Sequence, residues 1–262
     1  MHAPRKRLGQ HFLHDPGVIR RIVAAVDPRP EDRLLEIGPG LGAITLPLLE
    51  AAGRLDAVEI DRDLAAALEE RTRGRGELRL HVGDALRFDL EGLPGGEPIR
   101  VVGNLPYNIS TPLLFRLLAA HRRIRDLHLM LQREVVERMQ AGPGGREYGR
   151  LSVMTQLRCR VEPLFTIGRG AFRPPPKVES AFVRLVPLRT PPVAVADEAR
   201  FAKLVTHVFS RRRKTLRNAL RGLLEETEIR ALGLDPGLRP ERLSLAEFAR
   251  LSAAWQPPPA EK

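Results

Sequence analysis

Along the first two thirds of the chain, short apolar runs alternate with stretches in which apolar residues recur every three or four positions. Val18, Ile19, Ile22, Val23 and Val26 form one helical stripe, opened by Asp15 as N-cap and Pro16 at the first helical position. Residues 33–37 read as a buried strand running into Gly38-Pro39-Gly40-Leu41-Gly42. Residues 45–52 read as a helix despite Pro47, and 55–60 as a second strand. A helix over 61–71 turns Leu64 and Leu68 inward, and 78–82 and 99–102 are the third and fourth strands. Ser110 or Thr111 can cap a helix with Pro112 at its first position. Residues 127–131 form a fifth strand, followed by a helix over 133–139. This βαβ rhythm predicts a parallel sheet with helices on both faces. Two further runs, 161–167 and 180–186, have no long helix between them and predict an antiparallel hairpin at the sheet edge. The glycine-rich stretch AGPGGRE (141–147) reads as a flexible loop before the helix that precedes that hairpin.

At PLRTPPVAVAD (187–197) the pattern changes to a Pro-rich linker. Only helical stripes follow, among them Val205, Val208, Phe209, Leu216, Leu220 and Leu223. The chain therefore divides into an α/β domain over 1–187 and a smaller all-helical domain over 188–262, with the QPPPAEK tail expected to be disordered.

Charge sharpens this picture. A net charge of +11 and a pI near 10.9 point to a polyanionic partner, nucleic acid first and an acidic membrane surface second. No apolar run approaches a membrane span, and the basic N-terminus lacks the apolar stretch of a secretory signal. The single cysteine, Cys159, excludes an internal disulfide and a cysteine-based zinc cluster, and no metal site is expected. Together these predict a cytoplasmic protein with no membrane partner. Lys supplies only five of the 43 cations, but GC-rich coding or heat adaptation explains an Arg bias as well as phosphate binding does.

Candidate chemistry lies at the strand ends, where open α/β sheets bind ligands. Gly38, Gly40 and Ala43 satisfy the dinucleotide fingerprint G-x-G-x-x-G/A, so a dehydrogenase is one reading. Glu36 favours another: an acid inside the first strand would repel a pyrophosphate but not S-adenosylmethionine, a cation without phosphates. Glu59, about 20 residues beyond the glycines, suits ribose hydroxyls in either cofactor. Asp84, after the third strand, can accept from an adenine amino group. At the end of the fourth strand, Asn104-Leu105-Pro106-Tyr107 reads in isolation as a turn.

In sequence order, GQHFLHD, LEIGPGLGAIT, VEIDRDLA, GDAL, VVGNLPYNIS, FRPPPKVESAFVRL and FSRRRKTLRNAL resemble the small-subunit ribosomal RNA adenine dimethyltransferases. The resemblance runs from about Arg5 to Leu251. It implies a Rossmann-like S-adenosylmethionine-dependent methyltransferase that places four methyl groups on two adjacent adenines near the 3′ end of that RNA. Asn104 and the Leu105 carbonyl would accept hydrogen bonds from the adenine amine, with Pro106 fixing the turn and Tyr107 stacking on the base. Phe172 would close the other face of the base. His11 and Leu13 would contact the cofactor, with His11 standing where the family usually has Asn.

Spacing and net charge point to an RNA-holding helix. Arg211, Lys214, Arg217 and Arg221 share one face by three- and four-residue spacing, opposite Val205, Val208, Phe209, Leu216 and Leu220. The basic arm Arg5-Lys6-Arg7 could add to it. A monomer acting on a small ribosomal subunit or its precursor is the expected form. The sister enzymes that methylate a large-subunit adenine, and a ribosome-assembly or transcription factor without turnover, are the alternative readings.

Overall fold

The computed structural model describes residues 4–5 and 8–255. Lys6 and Arg7 of the basic arm and the QPPPAEK tail lie outside the described residues. The chain divides into two compact units: residues up to 136 together with 160–187, and 137–159 together with residues from 188 onward. The junction at 187/188 coincides with the Pro-rich linker, but residues 137–159 pack with the second unit, not the first as expected. Apolar burial explains the difference. Tyr148, Val153 and Leu157 are buried in the same cluster as Phe201, Leu204, Val208 and Phe248.

The first unit is a seven-stranded sheet. Its strands are β2 (Leu34–Ile37), β3 (Arg54–Glu59), β4 (Glu77–Val82), β5 (Ile99–Asn104), β6 (Ile124–Gln132), β7 (Cys159–Ile167) and β9 (Ser180–Pro187), in the order β4-β3-β2-β5-β6-β9-β7. The first five are parallel, and β9 runs antiparallel to β6. Helices α1 (Pro16–Val26), α2 (Thr45–Ala52), α3 (Arg62–Thr72), α4 (Ser110–Ala119) and α5 (Arg133–Gln140) separate the strands. The last two strands at one edge, β9 and β7, correspond to the hairpin expected there. A second sheet was not foreseen: β1 (Phe12–Leu13) pairs with β8 (Phe172–Arg173), Leu13 opposite Phe172.

Local chemistry sets the element ends. The Asp15 side chain accepts from the Val18 amide at 2.9 Å and caps α1. Helix α4 starts at Ser110, so Pro112 does not occupy its first position, and the Ser110 hydroxyl donates to the Tyr107 carbonyl at 3.1 Å. That bond pins the turn carrying Tyr107 to the helix behind it. Gly103, opposite Ile37 on β2, leaves room for the neighbouring strand; a Cβ there would lie 2.7 Å from the Ile37 carbonyl oxygen. Below the site, buried Arg100 on β5 donates to Asp32 at 2.6 Å, to Asp126 of β6 at 3.0 Å and to the Val26 carbonyl of α1 at 2.7 Å. One guanidinium thus satisfies two buried carboxylates and a helix C-terminus.

The second unit contains α6 (Arg150–Arg158), α7 (Glu198–Ser210), α8 (Leu216–Ala219), α9 (Glu226–Ala231) and α10 (Leu245–Ala254). The expected continuous basic helix is broken. Helix α7 ends at Ser210, Arg211–Lys214 form a turn, and α8 begins only at Leu216. The break is held by carbonyls from a later loop: the Leu216 amide donates to Leu238 at 2.7 Å and the Arg217 amide to Pro236 at 3.1 Å. Bending there buries Leu216, Ala219 and Leu220 in the core that also holds Val205 and Val208.

Candidate active site

The C-terminal ends of β2, β3, β4 and β5 open on one cleft in the first unit, about 950 Å³ including its open mouth. Glu36, Gly38, Gly40, Glu59, Asp84, Asn104, Leu105, Pro106 and Tyr107 line it. Residues 8–13, including His11 and Leu13, cross it as a strap. Nine site residues expected from strand ends and two from the N-terminal segment are therefore brought to one place.

Gly40 has φ +56°, and a Cβ there would press on the Phe12 ring at 3.2 Å. The glycine lets the loop lie flat under the strap. Its amide donates to Glu59 Oε2 at 3.1 Å, and the Asp61 amide donates to Glu59 Oε1 at 2.9 Å. Burial raises the Glu59 pKa, and these backbone donors oppose the rise. Asp84 Oδ1 accepts from the Leu86 amide at 2.9 Å, which fixes the carboxylate at the cleft wall. Glu36 differs from both. It is 1% exposed, its Oε2 has no hydrogen-bond partner, and burial pushes its pKa up to about 7. Among the described lining residues the cleft contains no Lys or Arg. Such a donor set suits a cation and disfavours a pyrophosphate. S-adenosylmethionine therefore fits these residues, and a nicotinamide dinucleotide does not.

The strap is tied down at three points. At one end Gln10 Nε2 donates to Asp61 at 3.1 Å, and Arg5 pairs with the same buried carboxylate at 2.9 Å. In the middle the Asn104 side-chain amide donates to the His11 carbonyl at 3.0 Å. At the far end, β1 pairs with β8. The Asn104 amide group is thereby oriented, because its N–H is committed to the strap. Its side-chain oxygen has no hydrogen-bond donor among the described residues. The Leu105 amide donates to Met130 at 3.2 Å, while no backbone amide outside the regular elements donates to its carbonyl. Tyr107 is half-buried, and its hydroxyl bonds Ser180 Oγ at 2.5 Å.

His11 does more than touch the cleft. Its ring stacks on Tyr107 with centroids 5.7 Å apart and planes 29° apart. Its Nδ1 lies 2.7 Å from the Pro174 carbonyl, so Nδ1 carries the proton and donates. That leaves Nε2 as the only ring atom free to serve a ligand. Sequence reasoning placed His11 beside the cofactor but not against Tyr107. Gln10, Ser180 and Pro174 were missed as supports, since each acts across a long sequence separation.

Two expectations need correction. Phe172 does not line the cleft; it is 2% exposed, in the core cluster with Leu13, Met130 and Phe182. Pairing of β8 with β1 sets Phe172 opposite Leu13, and both side chains pack in that cluster. Arg211, Lys214, Arg217 and Arg221 do not share one helical face. They occupy the turn after α7, α8 and the residues just beyond it, and all four are exposed. Arg212, in the same run, instead donates to the Arg146 carbonyl at 2.5 Å.

A family model described as ribosomal RNA adenine dimethylase matches residues 1–256. A protein of Pseudomonas fluorescens named ribosomal RNA small subunit methyltransferase A is 56% identical, with 99% of this chain and 97% of that protein covered. A protein of the same name from Methylococcus capsulatus is also 56% identical, with 98% and 99% covered. Among solved structures, a dimethyladenosine transferase from Plasmodium falciparum superposes with a TM-score of 0.74 at 28% identity, over 92% of this chain and 96% of that one. The 23S rRNA methyltransferase ErmE gives a TM-score of 0.71 at 27% identity, over 92% and 98%.

Proposed function

This chain belongs to the ribosomal RNA adenine dimethylase family, and from that premise we propose that the acidic cleft is where cofactor and target adenine meet. The chain is an S-adenosylmethionine-dependent enzyme that dimethylates adenine in small-subunit ribosomal RNA. Sequence favours the small-subunit target: relatives named for that subunit are 56% identical, whereas the 23S enzyme is 27% identical despite a similar fold. In this reading the substrate bases are the two adjacent adenines near the RNA 3′ end, presented in a small subunit or its precursor. One chain carries both the cleft and an exposed basic turn, so a cytoplasmic monomer suffices. Among the described residues no helix is long and apolar enough to cross a membrane.

One observation carries the assignment of the reacting end. The Asn104 N–H is spent on the His11 carbonyl at 3.0 Å, which leaves the side-chain oxygen to accept from an incoming amine. An adenine amine is a weak nucleophile because its lone pair is delocalised into the ring. Acceptance of its two hydrogens by Asn104 Oδ1 and the Leu105 carbonyl would pull the nitrogen toward tetrahedral geometry and localise that pair. Pro106 fixes the turn that presents the carbonyl. Tyr107, anchored by Ser180, offers a ring edge and face to the base, with stacking worth on the order of 1–3 kcal/mol. Gly38, Gly40, Glu59 and Asp84 hold the cofactor's nucleoside, with Leu13 and His11 above it. S-adenosylmethionine, when bound, supplies an electrophilic methyl group on its sulfonium. No strong base is required of the chain, since the attacking nitrogen becomes acidic only after transfer. Positioning in a cleft of this kind contributes up to roughly 7–11 kcal/mol. A non-catalytic assembly factor would not need the oriented amide or the buried acids.

The test is transfer from methyl-labelled S-adenosylmethionine by the purified enzyme to small-subunit or large-subunit ribosomal RNA. Dimethyladenosine in digests of the small-subunit RNA is expected. Label confined to the large-subunit RNA, or absent from both, would overturn the reading.

A further inference from the structure

Among the described residues Glu36 has no cation beside it to explain its burial. The neighbouring acids are accounted for: Glu59 accepts two backbone amides, Asp84 one, and Asp61 is paired with Arg5 and Gln10. Glu36 is as buried as Asp61, faces the cleft, and finds neither a donor for Oε2 nor a cation. Thr45, on the first turn of α2, lies beside it; its hydroxyl is near enough to favour the charged carboxylate but does not complete a hydrogen bond of good geometry. The groups around Glu36 are named readily. The cleft presents Glu59 from β3, Asp84 after β4, His11 from the strap and the neutral Asn104 from β5, while Asp61 caps α3 two residues beyond Glu59. Arg5 neutralises Asp61 at 2.9 Å and makes no bond to Glu36. Burial raises the carboxyl most, the Thr45 hydroxyl opposes that rise, and repulsion from Glu59 adds to it, so that the group titrates near neutrality, at about 7. An anion is costly at this position until a positive charge arrives.

We propose that Glu36 is protonated in the ligand-free enzyme and releases its proton to solvent when the cationic cofactor binds, so that cofactor capture is linked to pH. This rests on the cleft being the S-adenosylmethionine site. The sign follows from linkage. Below the free-state pKa a proton must leave before the cation is matched, so affinity rises with pH and levels off above it. With a free-state value of about 7, binding releases about 0.9 proton at pH 6 and about 0.1 at pH 8, and Kd falls about tenfold between them.

Calorimetric titration of the full-length enzyme with S-adenosylmethionine, in two buffers of different ionisation enthalpy at each pH, measures the proton count directly. Wild type is expected to give the values above. Glu36→Gln should bind with no pH-dependent release, and His11→Asn should keep the wild-type release, which assigns the proton to the carboxyl. Tight wild-type binding at pH 6 without proton release overturns the proposal, as does undiminished release in Glu36→Gln or its loss in His11→Asn. If Glu59→Ala binds as tightly as wild type, the cofactor lies elsewhere, and it is the assignment of the cleft that has failed. If Glu36→Gln does not fold, proton release by Glu59→Gln at saturating cofactor decides: retained release leaves Glu36 as its source, and lost release overturns the proposal.

Discussion

Replacing Asn104 with Ala separates the two roles this side chain holds. Its N–H ties the strap through the His11 carbonyl at 3.0 Å, and its oxygen is the proposed acceptor for the adenine amine. Loss of the strap bond costs roughly 0.5–1.5 kcal/mol, which raises the cofactor Kd by at most about tenfold. Loss of a preorganised hydrogen-bonding partner in the transition state costs about 2.7–4 kcal/mol, or roughly 10²–10³ in kcat. The second effect should dominate. Asn104→Asp provides the contrast. It keeps an acceptor oxygen but places a carboxylate oxygen against the His11 carbonyl, so cofactor binding should suffer more and kcat less than in Asn104→Ala. Cofactor Kd by calorimetry and single-turnover methyl transfer at saturating cofactor measure the two quantities separately. Asn104→Ala turnover within about threefold of wild type would refute the acceptor role, whatever happened to Kd.

Changing Arg211, Lys214 and Arg217 together to Ala should weaken RNA binding and lower the slope of log K against log salt by about 2, at roughly 0.7–0.9 per lost phosphate contact; an unchanged slope would place the RNA elsewhere. Phe172→Ala should cost about 3–5 kcal/mol of stability in denaturant melts, because the ring is buried in the core. A folded Phe172→Leu enzyme slowed more than about tenfold would instead return Phe172 to the base pocket. Glu36→Gln should be more stable than wild type at pH 8. The folded pKa of about 7 lies above the ordinary carboxyl value of 4.5, so the native state holds its proton more tightly and stability falls as pH rises between those values. The advantage should approach about 3 kcal/mol at pH 8 and vanish near pH 4, and denaturant midpoints across that range check it.

The parts of this site that were legible in sequence are local. An apolar run stopped by glycine or by Asn-Leu-Pro announces a strand end, and successive acids at such ends announce a shared cleft. Glu36, Glu59, Asp84 and Asn104 were placed that way, and all four line one pocket. What was not legible depends on distant partners. Two-residue strands carry no periodicity, so the pairing of Leu13 with Phe172 was invisible, and with it the burial of that ring. The basic stretch 211–221 has helical spacing throughout; its break is held by carbonyls of Pro236 and Leu238, which arrive from a later loop. Residues 137–159 precede a strand of the first unit, yet Tyr148 and Leu157 are drawn into the core of the second. The stacking of His11 on Tyr107 joins segments almost a hundred residues apart, beyond the reach of any local pattern.

In cells, dimethylation of adenines in small-subunit ribosomal RNA should depend on this cleft. Mass mapping of both ribosomal RNAs from cells lacking the gene, complemented with wild type or with Asn104→Ala, tests it most directly. Two adjacent dimethyladenosines near the 3′ end of the small-subunit RNA should appear with wild type and be missing or strongly depleted with Asn104→Ala. Their presence without the gene, full restoration by Asn104→Ala, or a gene-dependent mark confined to the large-subunit RNA would contradict the account.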